Sequence, residues 1–68
     1  MTPEYAKKRL QEIFNARVDY TGSDEHYMGF IVSGKGFIVA ANVSKTGYCT
    51  IVSPFSLKTI KTIDITKQ

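Results

Sequence analysis

The sequence predicts an α+β domain: an N-terminal helix packed on one face of a four- to five-stranded antiparallel meander sheet. Three observations lead there. Ala6, Leu10, Ile13 and Phe14 recur at helical spacing near the start of the chain. The stretch Phe30–Val52 reads as short strands joined by two tight glycine turns. A final segment rich in Thr and Ile supplies one more strand.

Thr2 caps a helix that begins at Pro3, where the missing N–H costs nothing. Glu4 complements the positive end of the helix dipole, and Glu4–Lys8 is a favourable i,i+4 pair. Lys7, Lys8, Gln11 and Glu12 take the side away from the apolar stripe. Asn15 or the residues just after it end the helix. Val18-Asp19-Tyr20 alternates as a short strand, and Thr21–Glu25 has the composition of a loop. His26–Ser33, Phe37–Ser44 and Tyr48–Ser53 read as strands. Gly34-Lys35-Gly36 and Lys45-Thr46-Gly47 are the turns between them, each read as a three-residue turn closed by a left-handed glycine. Pro54 breaks the run, and Leu57–Thr66 is a last strand at an edge, guarded by Lys58, Lys61 and Lys67.

Three-residue turns set Ser33 opposite Phe37 and Ser44 opposite Tyr48. In that register one face holds Tyr27, Gly29, Ile31, Phe37, Val39, Ala41, Val43, Cys49 and Ile51. It is the more uniformly apolar and is the expected core. The other face holds His26, Met28, Phe30, Val32, Ile38, Ala40, Asn42, Tyr48, Thr50 and Val52. One helix covers one face, so the mixed face is left for solvent, a second copy of the chain or a partner.

The 68 residues make one domain, residues 1–68. A chain this short buries only roughly 60% of its unfolded surface, and its stability margin is small. Cys49 is the single cysteine and His26 the single histidine, so no internal disulfide forms and a tetrahedral zinc site lacks ligands. No metal or other cofactor is expected. A lone cysteine suits a reducing compartment, and Met1-Thr2-Pro3-Glu4 has no signal-peptide character, so a cytoplasmic location is expected. No apolar run approaches the ~20 residues that span a membrane, and no membrane contact is expected.

Catalysis is not expected. Cys49 and His26 form the only Cys–His combination, and they fall on opposite faces of non-adjacent strands. Asp19, Asp24 and Glu25 lack the spacing of a calcium loop. Ser33-Gly34-Lys35-Gly36 lacks the strand–loop–helix setting of a phosphate loop. The expected function is a small non-enzymatic protein-binding module, of the kind with which a phage or mobile element inhibits or modulates a larger host complex. Met28, Phe30, Ile38, Asn42, Tyr48 and Thr50 are the candidate contact residues. The partner is another protein or a second copy of the chain, with no small-molecule substrate. The alternative is a nucleic-acid binder. The net charge of +3 permits it, sheet aromatics would stack bases, and Lys7, Lys8, Lys35 and Lys61 would meet phosphates or an acidic partner.

Overall fold

The computed structural model describes residues 1–67. Helix α1 spans Pro3–Phe14, and the strands are β1 (Arg17–Ser23), β2 (Tyr27–Gly34), β3 (Phe37–Ser44), β4 (Tyr48–Val52) and β5 (Thr59–Asp64). The sheet order is β1-β2-β3-β4-β5, antiparallel throughout, so the fold is the α+β meander that the sequence implies. The Thr2 hydroxyl accepts a hydrogen bond from the Tyr5 N–H at 3.2 Å, and Pro3 stands at the first helical position. Asn15 ends the helix in the left-handed conformation, φ 50°. The helix packs over β1 and β2, burying Ala6 and Leu10 completely. Thr2→Ala leaves one helix-end N–H without its cap, and we expect a loss of about 1 kcal/mol in urea unfolding.

β1 runs past Tyr20, where the sequence suggests a loop. A bulge between Tyr20 and Gly22, with Gly22 at φ 126°, lets Gly22 and Ser23 pair with Gly29 and Met28. The turn that follows is built on Asp24. Its Oδ1 accepts the N–H groups of His26 and Tyr27, both at 2.8 Å. The Tyr27 and His26 N–H bonds hold the Asp24 carboxyl below the ordinary aspartate value of 3.8. At the far edge the Thr66 hydroxyl, then its N–H, does the same for Asp64. Lowered folded-state values mean stability that is present above the ordinary value and is lost as pH falls through the folded one. The urea midpoint is therefore expected to drop on acidification below about pH 4. Asp24→Asn and Asp64→Asn should each flatten that fall; an unchanged acid limb in the double variant refutes the assignment.

The second hairpin has the expected register, with Val43 opposite Cys49. The first does not. Gly34 pairs with Phe37, so the turn is the two residues Lys35-Gly36, and only Gly36 takes positive φ, 84°. Relative to the sequence expectation β2 is shifted by one residue, which exchanges its two faces. Met28, Phe30 and Val32 turn inward and Tyr27, Gly29 and Ile31 turn outward. Packing energy decides this. Burying Met, Phe and Val under the helix removes far more apolar surface than burying Tyr, Gly and Ile, at about 1.5–3 kcal/mol for each large side chain. Gly34 is needed for space: a Cβ there would lie 2.0 Å from the Phe37 ring.

The core joins Val18, Met28, Phe30, Val32, Ala41, Val43, Cys49 and Ile51 to Ala6 and Leu10. Ile65, just beyond β5, completes it at 0% exposure. The Ile65 N–H donates to Gly47 O at 3.0 Å, and Arg9 Nε donates to Ile65 O at 2.9 Å. Arg9 also pairs with Glu12 on the same helix at 2.9 Å, while its bond to Ile65 ties the helix to the segment after β5. Gly47 (φ 98°) has no room for a side chain, since a Cβ would lie 2.6 Å from Thr66 Cγ2.

Candidate partner-binding face

The helix covers one side of the sheet and leaves the other open. The strand register orders that open side into rows. Tyr27, Ser44, Tyr48 and Asp64 form one. Gly29, Asn42, Thr50 and Thr62 form the next. Ile31, Ala40 and Val52 form the third, and Ser33 with Ile38 lies beyond it. The face thus grades from tyrosine through small polar groups to aliphatic side chains. Among the described residues, none of the side chains that β2, β3 and β4 present here is charged. Charge is confined to the borders, where Arg17 pairs with Asp19 at 3.0 Å on β1 and Asp64 lies on β5. Tyr48 is 56% exposed, Tyr27 47% and Ile38 42%, while the residues between them are half-buried. Gly29 in the second row leaves its side-chain space to a neighbour. The Thr21 hydroxyl lies over the glycine, 2.6 Å from where a Cβ would stand.

Of the contact residues expected from the sequence, Ile38, Asn42, Tyr48 and Thr50 are brought together on this face. Met28 and Phe30 are not. They are 7% and 1% exposed, in the core, because of the shift in the first hairpin. Tyr27 and Ile31 occupy the surface in their place. The Phe30 ring packs on Tyr20 with centroids 5.4 Å apart. The lysines do not converge on the face: Lys7 and Lys8 lie on α1, Lys35 at the β2–β3 turn, and Lys61 opposite Ile51 on the helix side of β5.

One surface feature escaped the sequence expectation. The β4–β5 connection carries Phe55, 84% exposed, and Leu57, 79% exposed. Leu57 was expected to start the last strand. Instead it closes a compact turn at φ 60°, in the left-handed region. The signal available in the sequence was Ser53 followed by Pro54, a turn-forming pair.

Cys49 is fully buried, and burial pushes its thiol up to about 12, which makes it unreactive. His26 is exposed in the β1–β2 turn, so the fold does not bring the two together. Asp19 and Asp24 are held by Arg17 and by backbone N–H groups. No described helix is long and apolar enough to cross a membrane. Comparison with protein-family models, curated proteins and solved structures finds no match to this chain.

Proposed function

We propose that the chain is a small non-enzymatic protein-binding module that docks a larger protein through its open sheet face. The observation that carries this is the uncharged character of that face across β2, β3 and β4. Protein surfaces are normally rich in charge, and its depletion with Tyr enrichment marks the centre of protein interfaces. A nucleic-acid surface would instead need cations where phosphates run. The small size suits occlusion or bridging of a larger complex, as inhibitors from phages or mobile elements do. The buried lone thiol suits a reducing compartment such as the cytoplasm.

The test combines light scattering with partner capture. The free chain is measured at low and high salt, with and without a single-stranded oligonucleotide. Capture of a purified partner is then compared between wild type and Tyr48→Ala. The expected result is a monomer indifferent to the oligonucleotide, and weaker capture by the variant. A salt-sensitive mass shift with the oligonucleotide overturns the proposal in favour of nucleic acid. A stable dimer overturns it in favour of self-association.

A further inference from the structure

Phe55 and Leu57 are the most exposed large apolar side chains, at 84% and 79%; the next, Ile60 and Tyr48, are 57% and 56% exposed. The segment holding them is not loose. Ser53 Oγ accepts the N–H groups of Phe55 and Ser56, both at 3.4 Å. The Leu57 N–H donates to Ser53 O at 2.9 Å, and the Ser53 N–H donates to Lys58 O at 3.0 Å. Leu57 sits at φ 60°, where a side chain costs energy that glycine would avoid. The turn's hydrogen bonds need only the backbone conformation, and the leucine side chain, 79% exposed, recovers little of its cost by packing. Glycine would close the same turn without that cost, so the exposed leucine side chain at this position points to a role outside folding.

Resting on the protein-binding function proposed above, we propose that the β4–β5 turn is a second contact on the same partner: Phe55 and Leu57 enter an apolar pocket with an acidic rim. A fixed, strained turn favours a shaped pocket over a lipid surface, since a fluid bilayer rewards no particular geometry while a pocket rewards preorganised prongs. Charge supplies the rim. From Val52 to Ile63 the chain carries Lys58 and Lys61 and no Asp or Glu. Lys58 belongs to the turn itself, and the meander brings the Lys35 turn to the same end of the sheet. Val52, in the aliphatic row of the open face, leads directly into the turn, so the two contacts are continuous.

The test places a photo-reactive side chain at position 55 of the full chain, at position 50 on the open face, and at the exposed helix position 11 as background. Irradiation is done in extract of the cells that make the protein. The adduct peptide is sequenced, and the purified partner is titrated with wild type, Phe55→Ser, Leu57→Gly and Lys58→Glu. The expected adduct at 55 lies in an apolar segment bordered by Asp or Glu. Phe55→Ser and Leu57→Gly each weaken binding by about tenfold or more. Lys58→Glu weakens it and lowers its salt dependence. Leu57→Gly also raises Tm, which separates lost contact from lost fold. An adduct at 55 no stronger than at 11, an adduct on lipid or nucleic acid, a basic pocket, or unchanged affinities overturns the inference. Adducts at 50 without adducts at 55 remove the turn alone and leave the open face standing; failure at both positions removes both.

Discussion

Phe30→Ala is expected to unfold the chain. Phe30 is 1% exposed, lies opposite Ala41 in the register and carries Tyr20 against its ring. Truncating a buried Phe removes its transfer energy and leaves a cavity, together about 3–5 kcal/mol. A domain of this size has about 3–10 kcal/mol in total, at ~0.05–0.15 kcal/mol per residue. One substitution therefore consumes from about a third to all of the margin. The matched control is Tyr48→Ala on the open face, where the side chain is 56% exposed and little packing is lost. Its stability should stay within about 1 kcal/mol of wild type. Far-UV circular dichroism across a urea series separates the two. Were Phe30→Ala to keep the wild-type midpoint, Phe30 would have to lie outside the core and the first hairpin would have the other register.

That hairpin marks how far the sequence could be read. Helix α1 was legible because cap, proline and apolar spacing agree over its whole length. The meander was legible because β2 and β3 end at glycine turns and β4 ends before Pro54. What could not be read was which of two turn lengths joins β2 to β3. Counting Gly34 into the turn with Lys35 and Gly36 gives the three-residue form. In the fold it is ordinary strand, kept small so that the Phe37 ring can lie over it. A one-residue difference then moved Met28 and Phe30 from the surface to the core while leaving Ile38, Asn42, Tyr48 and Thr50 in place. β1 was underestimated for a similar reason: Thr21-Gly22-Ser23 has loop composition, but a bulge absorbs the glycine and pairing continues. The exposed turn at Phe55 and Leu57 was hidden because Leu57 reads as the start of the last strand, soon after Pro54 breaks the run. Only the tertiary fold shows them 84% and 79% exposed.

Ala40→Arg is expected to abolish partner binding while leaving the fold intact. Ala40 lies on β3, the middle strand, between Ile31 and Val52 in the aliphatic row. In the free chain the new side chain extends over a surface open to water, and surface changes of this kind stay within about 0.5 kcal/mol. In a complex the same guanidinium is desolvated against a partner selected to meet uncharged groups. Burying an unpaired charge costs about 2–5 kcal/mol, roughly 30-fold to several thousand-fold in Kd. Calorimetric titration of a purified partner measures the affinity, and thermal unfolding of the variant alone confirms the fold. The sign of the effect also discriminates among functions. Added positive charge strengthens contact with a phosphate backbone, so tighter binding of an oligonucleotide by Ala40→Arg would identify a nucleic-acid surface. If the face instead closes on a second copy, the two-fold axis sets two such charges near each other and the variant becomes monomeric. Affinity for a protein partner unchanged from wild type would remove the open face from the interface. The work of binding would then pass to the β4–β5 turn, whose own variants test it separately.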